Sequence, residues 1–250
     1  MSASVKLAVI RLCLAASILA AWEYASRVRH LEFYLSKPTD IASRLMVWIS
    51  DGTLMTNLQA TVFVAVIGFV IGSCAGLMIG LLLGRATVVA KVLDPFLMAF
   101  YSMPKVALGP VFVLWFGIDT SMKIIFVAVV VFFLVFLNTY SGVRNVSRDQ
   151  ITILRLMGAN EMDLMRKVVL PSAFSVPYAL IGTILGEMMA TNKGLGFLLA
   201  NTAGMFDTAG TFATLVVIVA LSMIFNALVR VAEIYLTPWQ SRLEAQEVSI

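Results

Sequence analysis

Two ionisable residues, Lys105 and Glu187, lie within otherwise apolar stretches of the 250-residue sequence. A charged group at membrane depth is costly in free energy and usually marks a functional site or a specific pairing. Lys105 follows Asp94 by eleven residues, about 16 Å along a helix, and is therefore expected near the middle of a membrane span. Lys105 could attract an anionic solute, or pair with a neighbouring helix, for example through Glu187. Glu187 could cap a helix or bond to a neighbouring helix, or alternatively it could contact the solute.

Further polar or helix-breaking residues could line a solute path beside these two. No Ser–His pair, His-Glu-x-x-His motif or paired aspartates occur within the apolar stretches, so a membrane enzyme is disfavoured. The two cysteines and the single histidine form no cluster with metal-ligand spacing, and no cofactor is expected. The expected chemistry is solute recognition rather than covalent catalysis. The candidate path residues are Tyr101, Ser102, Pro104, Lys105, Asn138 and Glu187.

The longest polar interval of the second half runs from Arg144 to Pro171 and holds five of the eighteen Lys and Arg residues. Apolar residues recur in it with the three-to-four spacing of an amphipathic helix, and Gly158-Ala159-Asn160 interrupts the pattern. The interval predicts two short surface helices with a bend at Gly158. Such helices either lie on anionic lipid or dock into a groove of a partner protein.

The composition places these residues in a bilayer. The sequence is 60% hydrophobic and 13% charged, whereas soluble domains have about 25% charged residues. The net charge of +4 is modest and gives no reason to expect nucleic-acid binding. Six apolar runs predict an all-α protein with six membrane spans. They cover residues 7–25, 60–84, 94–117, 123–142, 172–190 and 211–236, with Gly194-Leu195-Gly196 expected as a connection.

Two of these predicted spans have unusual features. The third contains three prolines, and such breaks are tolerated at membrane depth only where protein or a water-filled cavity satisfies the freed backbone groups. The fifth has only nineteen residues, about 28 Å as a helix, and barely crosses a hydrocarbon core of about 30 Å.

Five glycines at four-residue spacing mark the second predicted span. Small residues at this spacing allow two membrane helices to approach closely. The stripe predicts a packing groove against another helix of the same chain, with a pore lining or a subunit contact as alternatives. Its members are Gly68, Gly72, Gly76, Gly80 and Gly84.

The distribution of Lys and Arg between the loops predicts the orientation. With the N-terminus inside, eleven of these residues face the cytoplasm and six the opposite side, with Lys105 within the membrane. Both termini and the Arg144–Pro171 interval are therefore expected in the cytoplasm.

Several short motifs, taken together in this order, resemble the membrane-spanning permease subunits of type I bacterial ABC importers. The similarity covers roughly residues 55–238 and is greatest to the branch that handles nitrate, sulfonates, taurine, bicarbonate and vitamin precursors. The matching motifs are Leu93-Asp94-Pro95, Met103-Pro104 through Ala107-Leu108, Pro110 to Trp115-Phe116-Gly117, Lys123-Ile124, Asn138-Thr139 with Gly142-Val143, Gly158-Ala159, Val168-Val169-Leu170-Pro171, Gly186-Glu187-Met188 and Gly194-Leu195-Gly196.

The resemblance implies a transporter subunit without enzymatic activity of its own, located in the bacterial inner membrane. Since the sequence has no phosphate-binding G-x-x-x-x-G-K-[ST] motif, ATP hydrolysis would come from a separate ATPase. The implied partners are two copies of that ATPase, a second permease subunit, which is expected to be an identical copy, and an external solute-binding protein. The implied ATPase-coupling residues are Arg155, Gly158, Ala159, Glu161, Asp163, Leu170 and Pro171.

The implied organisation is an N-terminal helix and external loop (1–53), a permease domain (54–238) and a cytoplasmic tail (239–250). Two features depart from the family pattern. Thr152-Ile153-Leu154 stands where relatives have Glu-Ala-Ala, and the fifth span is about ten residues short. A degenerate or structural homologue with impaired transport is therefore the alternative to a working importer of a small anion or vitamin precursor.

Overall fold

The computed structural model describes residues 3–28, 32–145, 177–189 and 192–236. Every regular element within these ranges is helical, as expected for the all-α class. The helices are α1 (Ala3–Val28), α2 (Glu32–Leu35), α3 (Pro38–Ser50), α4 (Thr53–Arg85), α5 (Thr87–Ser102), α6 (Gly109–Phe116), α7 (Thr120–Asn145), α8 (Pro177–Met189), α9 (Leu195–Gly204) and α10 (Thr208–Leu236). A 3-10 turn, Lys105–Leu108, joins α5 to α6.

Four of the described helices, α1, α4, α7 and α10, are long and apolar enough to cross a membrane. They coincide with four of the six predicted spans, and each extends beyond the apolar run that predicted it. The added turns contain polar residues, which a long helix can carry at the edges of the hydrocarbon region. The described part of the fifth predicted span is the 13-residue helix α8.

The third predicted span is divided at its prolines. Pro95 is accommodated inside α5, whereas the chain leaves the helix at Met103-Pro104 and resumes as α6 with Pro110 in the first turn. Proline fits the first turn of a helix because the missing N–H has no partner there anyway. Gly117, with φ of +76°, ends α6, and its N–H bonds to the Val113 carbonyl at 2.8 Å.

The glycine stripe of α4 faces α7. A Cβ atom at Gly68 would lie 2.6 Å from Cγ1 of Val127, and one at Gly76 would lie 2.8 Å from the Phe132 carbonyl oxygen. These distances leave no room for a side chain, so the two helices approach almost backbone to backbone. The other three glycines meet α7 in the same way: Gly72, Gly80 and Gly84.

The connection predicted at Gly194-Leu195-Gly196 is wrong, because α9 begins there. Gly194 has a φ of +118°, which glycine adopts readily, and its carbonyl accepts the first helical bond from Leu198. The following residues are mostly apolar and bury one face of the helix, on which Leu195 and Leu198 lie. Gly194 and Gly196 therefore mark the start of a helix whose backbone packs closely on α8, and not a loop.

Helices α3 and α9 cover one end of the bundle, which we call the α9 end. Helices α4, α7 and α10 begin at this end, and α8 finishes there. An apolar cluster joins Ile41 and Trp48 of α3 to Leu198 of α9 and Ala213 of α10. At its edge, Arg44 pairs with Asp207 at 3.1 Å. This contact links α3 to the start of α10.

We expect Asp207→Ala to destabilise the protein more than Arg44→Ala. The ion pair is partly exposed and should contribute about 0.2–1 kcal/mol. Asp207 has a second role, because Oδ1 accepts the Gly210 N–H at 3.0 Å and caps α10, which adds about 1 kcal/mol. Thermal unfolding of the two variants in detergent measures the difference. Equal losses would show that Asp207 does not act as the cap.

Candidate functional site

Lys105 lies at the break in the third predicted span, against the middle of α7. Its Nζ is 5.6 Å from the centroid of the Phe133 ring, and Phe100 of α5 stacks on the same ring at 5.9 Å. A lysine over an aromatic face gains cation–π attraction, which is larger where water is excluded. Phe133 is close to the midpoint of α7 (Thr120–Asn145), so the lysine lies beside the middle of that helix.

The other candidate path residues lie at different distances from Lys105 along the chain. Ser102 is the last residue of α5, and Pro104 lies in the break that follows. Both are exposed. Tyr101 lies in the last turn of α5, and Asn138 is exposed on α7, five residues beyond Phe133. Residues 101–105 thus form one continuous stretch of the chain at the break.

Glu187 does not belong to that group. It is on α8 at the α9 end and interacts electrostatically with Lys123 of α7. Lys123 precedes Phe133 by ten residues, about 15 Å along the helix. Glu187 and Lys105 are therefore at different depths, and the suggested pairing between them finds no support in this arrangement.

The Glu187 side chain is only 1% exposed and bonds to two other helices. The Thr61 hydroxyl of α4 lies 2.9 Å from each carboxylate oxygen, and the Gly196 N–H of α9 donates to Oε2 at 2.9 Å. A carboxylate at a helix N-terminus is stabilised by the helix dipole and by N–H groups that have no partner within the helix. The geometry is that of capping and interhelical bonding.

Two residues of α4 complete the attachment of α9. The Thr61 hydroxyl accepts the Leu195 N–H at 2.8 Å, and Asn57 Oδ1 accepts the Gly194 N–H at 2.8 Å. The Asn57 amide group is oriented in turn by donating to the Thr53 carbonyl at 2.8 Å. Three consecutive N–H groups are thus bound by three side chains, which we call the α9 clamp: Asn57, Thr61 and Glu187.

Sequence reasoning missed most of this cluster. Asn57 lay before the predicted start of the second span. Lys123 was the first residue of the fourth predicted span and was counted among the charges facing away from the cytoplasm, although it is only 4% exposed within α7. One signal was present: Asn57 and Thr61 are four residues apart, so they share a helix face. The partner positions on α9 could not be inferred, because α9 itself was not predicted.

The predicted ATPase-coupling residues lie outside the described part of the chain. They are Arg155, Gly158, Ala159, Glu161, Asp163, Leu170 and Pro171.

Within the described residues, the protein is a helical membrane protein with a proline-broken span and a lysine at the break, and its relatives give its class. Residues 72–238, well over half of the chain, match the family described as binding-protein-dependent transport system inner membrane component. The chain belongs to this family, and its resemblance to ABC importer permeases is confirmed.

Curated relatives match over nearly their whole length. A formylaminopyrimidine transport permease protein of Halalkalibacterium halodurans is 29% identical and covers 90% of this chain and 93% of its own. A putative aliphatic sulfonates transport permease protein of Bacillus subtilis is 29% identical over 93% of this chain and 88% of its own. A riboflavin transport system permease protein of Chloroflexus aurantiacus is 31% identical over 84% and 81%. The protein is therefore a transport permease.

Proposed function

We propose that this chain is the permease subunit of an ATP-driven importer of a small solute. The observation that carries the proposal is the family match over residues 72–238. The matched range includes the broken third span and the Arg144–Pro171 interval. ATP hydrolysis is assigned to a separate ATPase, of which two copies would bind two permease subunits. An external solute-binding protein would deliver the solute.

The proposed orientation follows from the loop charges. Both termini and the Arg144–Pro171 interval face the cytoplasm of a bacterial cell, and the α9 end faces outwards. The ATPase then docks on the amphipathic stretch around Gly158, within the proposed permease domain 54–238. The α9 end then forms the surface that meets the solute-binding protein.

The solute is proposed to be a small anion or a vitamin precursor. The names of the three relatives specify formylaminopyrimidine, aliphatic sulfonates and riboflavin. Lys105, held over Phe133 at the break of the third span, is the residue proposed to face the solute path. A lysine at this depth favours an anionic solute over a neutral one.

Uptake by whole cells tests the solute class. Cells expressing the permease with its ATPase and binding protein are given a radiolabelled alkanesulfonate, formylaminopyrimidine or riboflavin, and cells lacking the permease serve as the control. Accumulation of one of these compounds above the control supports the proposal. Failure of all three, with nitrate and taurine also tested, would contradict the proposed solute class.

If the solute is anionic, we expect Lys105→Met to reduce uptake by at least about tenfold, equivalent to about 1.4 kcal/mol. Lys105→Arg should retain much of the uptake, because it keeps the positive charge beside Phe133. The initial rate of uptake at matched permease levels in the membrane is the measurement. Equal uptake by the Met and Arg variants would exclude a role for this charge.

A further inference from the structure

We propose that the α9 clamp keeps α9 attached to α4 and α8 throughout the transport cycle, so that these helices move as one body. Glu187 is then a positioning residue of the α9 end, and the solute path does not include it. This inference rests on the proposed function, because it assigns the clamp a role in a transport cycle. The three side chains of the clamp are Asn57, Thr61 and Glu187.

A solute has no access to the Glu187 carboxylate. Both oxygens lie 2.9 Å from the Thr61 hydroxyl, and Oε2 also accepts the Gly196 N–H. A Cβ atom added at Gly194 would overlap this carboxylate, and one at Gly196 would overlap the Ile184 carbonyl oxygen. The two glycine backbones thus pack directly on α8, and with Glu187 only 1% exposed the carboxylate is closed to a solute in this structure.

Separating α9 from α4 and α8 would be costly. It would leave three backbone N–H groups and a buried carboxylate without their partners, in a site from which side-chain packing excludes water. Lys123 of α7, itself 4% exposed, adds an opposite charge to the environment of Glu187. The arrangement is stable only while α4, α8 and α9 stay together.

Apolar packing joins the same helices. Ala65 of α4, Leu180 of α8, Leu195 of α9 and Leu221 of α10 form one buried cluster. Leu195 connects the two kinds of contact, because its N–H is bound by Thr61 while its fully buried side chain belongs to the cluster. The polar clamp therefore sits on the apolar core that holds α4, α8, α9 and α10 together.

Amide hydrogen exchange of the full-length protein in nanodiscs tests the clamp directly. The amides of Gly194, Leu195 and Gly196 should be protected in the wild type. Thr61→Val, which removes the hydroxyl at nearly constant volume, should speed their exchange at least about tenfold. Thr61→Ser should restore protection, because it restores the hydroxyl.

Thr183→Val is the matched control. Thr183 is also a fully buried threonine of an apolar helix, but its hydroxyl bonds only the Ala179 carbonyl of its own helix, at 2.8 Å. The Thr183→Val variant should leave the amide exchange rates of residues 194–196 unchanged. Unprotected amides in the wild type, or equal effects of the two valine variants, would overturn the clamp.

The same exchange, measured with the ATPase bound in its nucleotide-free and ATP-trapped states, tests the movement as one body. Protection of Gly194, Leu195 and Gly196 should be the same in both states. Loss of protection in either state would overturn the inference. Exchange measured on the permease alone tests the clamp without the ATPase. If the ATPase did not bind, the proposed function would be contradicted, but the result for the clamp would still be valid.

Discussion

The double variant Gly72→Ala/Gly76→Ala should destabilise the protein severely. A Cβ atom at Gly76 would lie 2.8 Å from the Phe132 carbonyl oxygen and 2.9 Å from the Phe136 backbone nitrogen, and one at Gly72 would overlap the Ala128 carbonyl oxygen. Since these contacts are with backbone, only a shift of a whole helix can relieve them. Overpacking typically costs about 1–3 kcal/mol per site. The melting midpoint in detergent should fall by roughly 2–4 °C per kcal/mol.

Gly182→Ala provides the matched control. Its added Cβ atom would lie 3.5 Å from Val130, an ordinary van der Waals distance, and Gly182 is in α8, an apolar helix that also packs on α7. Alanine has a higher helix propensity than glycine by about 1 kcal/mol. This variant should therefore match or exceed the wild type in stability. If the double variant melted at the wild-type temperature, the close approach of α4 and α7 would be wrong.

Gly158→Pro should abolish co-purification of the ATPase while leaving the permease in the membrane. The sequence predicts a bend at Gly158 between two amphipathic helices. Proline fixes φ near −65° and removes the N–H group, so it changes the backbone geometry of the bend that orients the two helices. A loss of about 3 kcal/mol in docking free energy would weaken ATPase binding by roughly a hundredfold.

Ala159→Ser is the control for this prediction, because it changes the neighbouring residue without restricting the backbone. The bound ATPase is measured per permease, and the melting midpoint confirms that the membrane helices are intact. Wild-type recovery of the ATPase with Gly158→Pro would show that docking does not depend on this segment.

Apolar length and proline positions predicted much of the fold. The long runs of α4, α7 and α10 gave correct spans, since twenty or more apolar residues have few alternatives to a membrane helix. The prolines predicted the divided third span, because proline cannot continue the hydrogen-bond ladder. Helix α9 was missed, because it begins between two glycines, Gly194 and Gly196, whose role depends on contacts with α4 and α8.

The candidate site was predictable only in part. Lys105 stands out in sequence because a charge within an apolar run is rare, and its depth follows from the helix rise. Glu187 stands out in the same way, but sequence leaves capping and solute contact open. Choosing between them required the partners Thr61 and Gly196, which are 126 and 9 residues away in the chain. Tertiary contacts of this kind carry no local signal.

ATP turnover by the reconstituted complex tests the central claim most directly. The permease is placed in proteoliposomes with its ATPase, and hydrolysis is measured with and without the solute-loaded binding protein. A working importer subunit should support turnover that the loaded binding protein raises several-fold and that falls to background with Gly158→Pro. Turnover that stays at background with every loaded binding protein would contradict the importer function and identify the chain as a degenerate homologue.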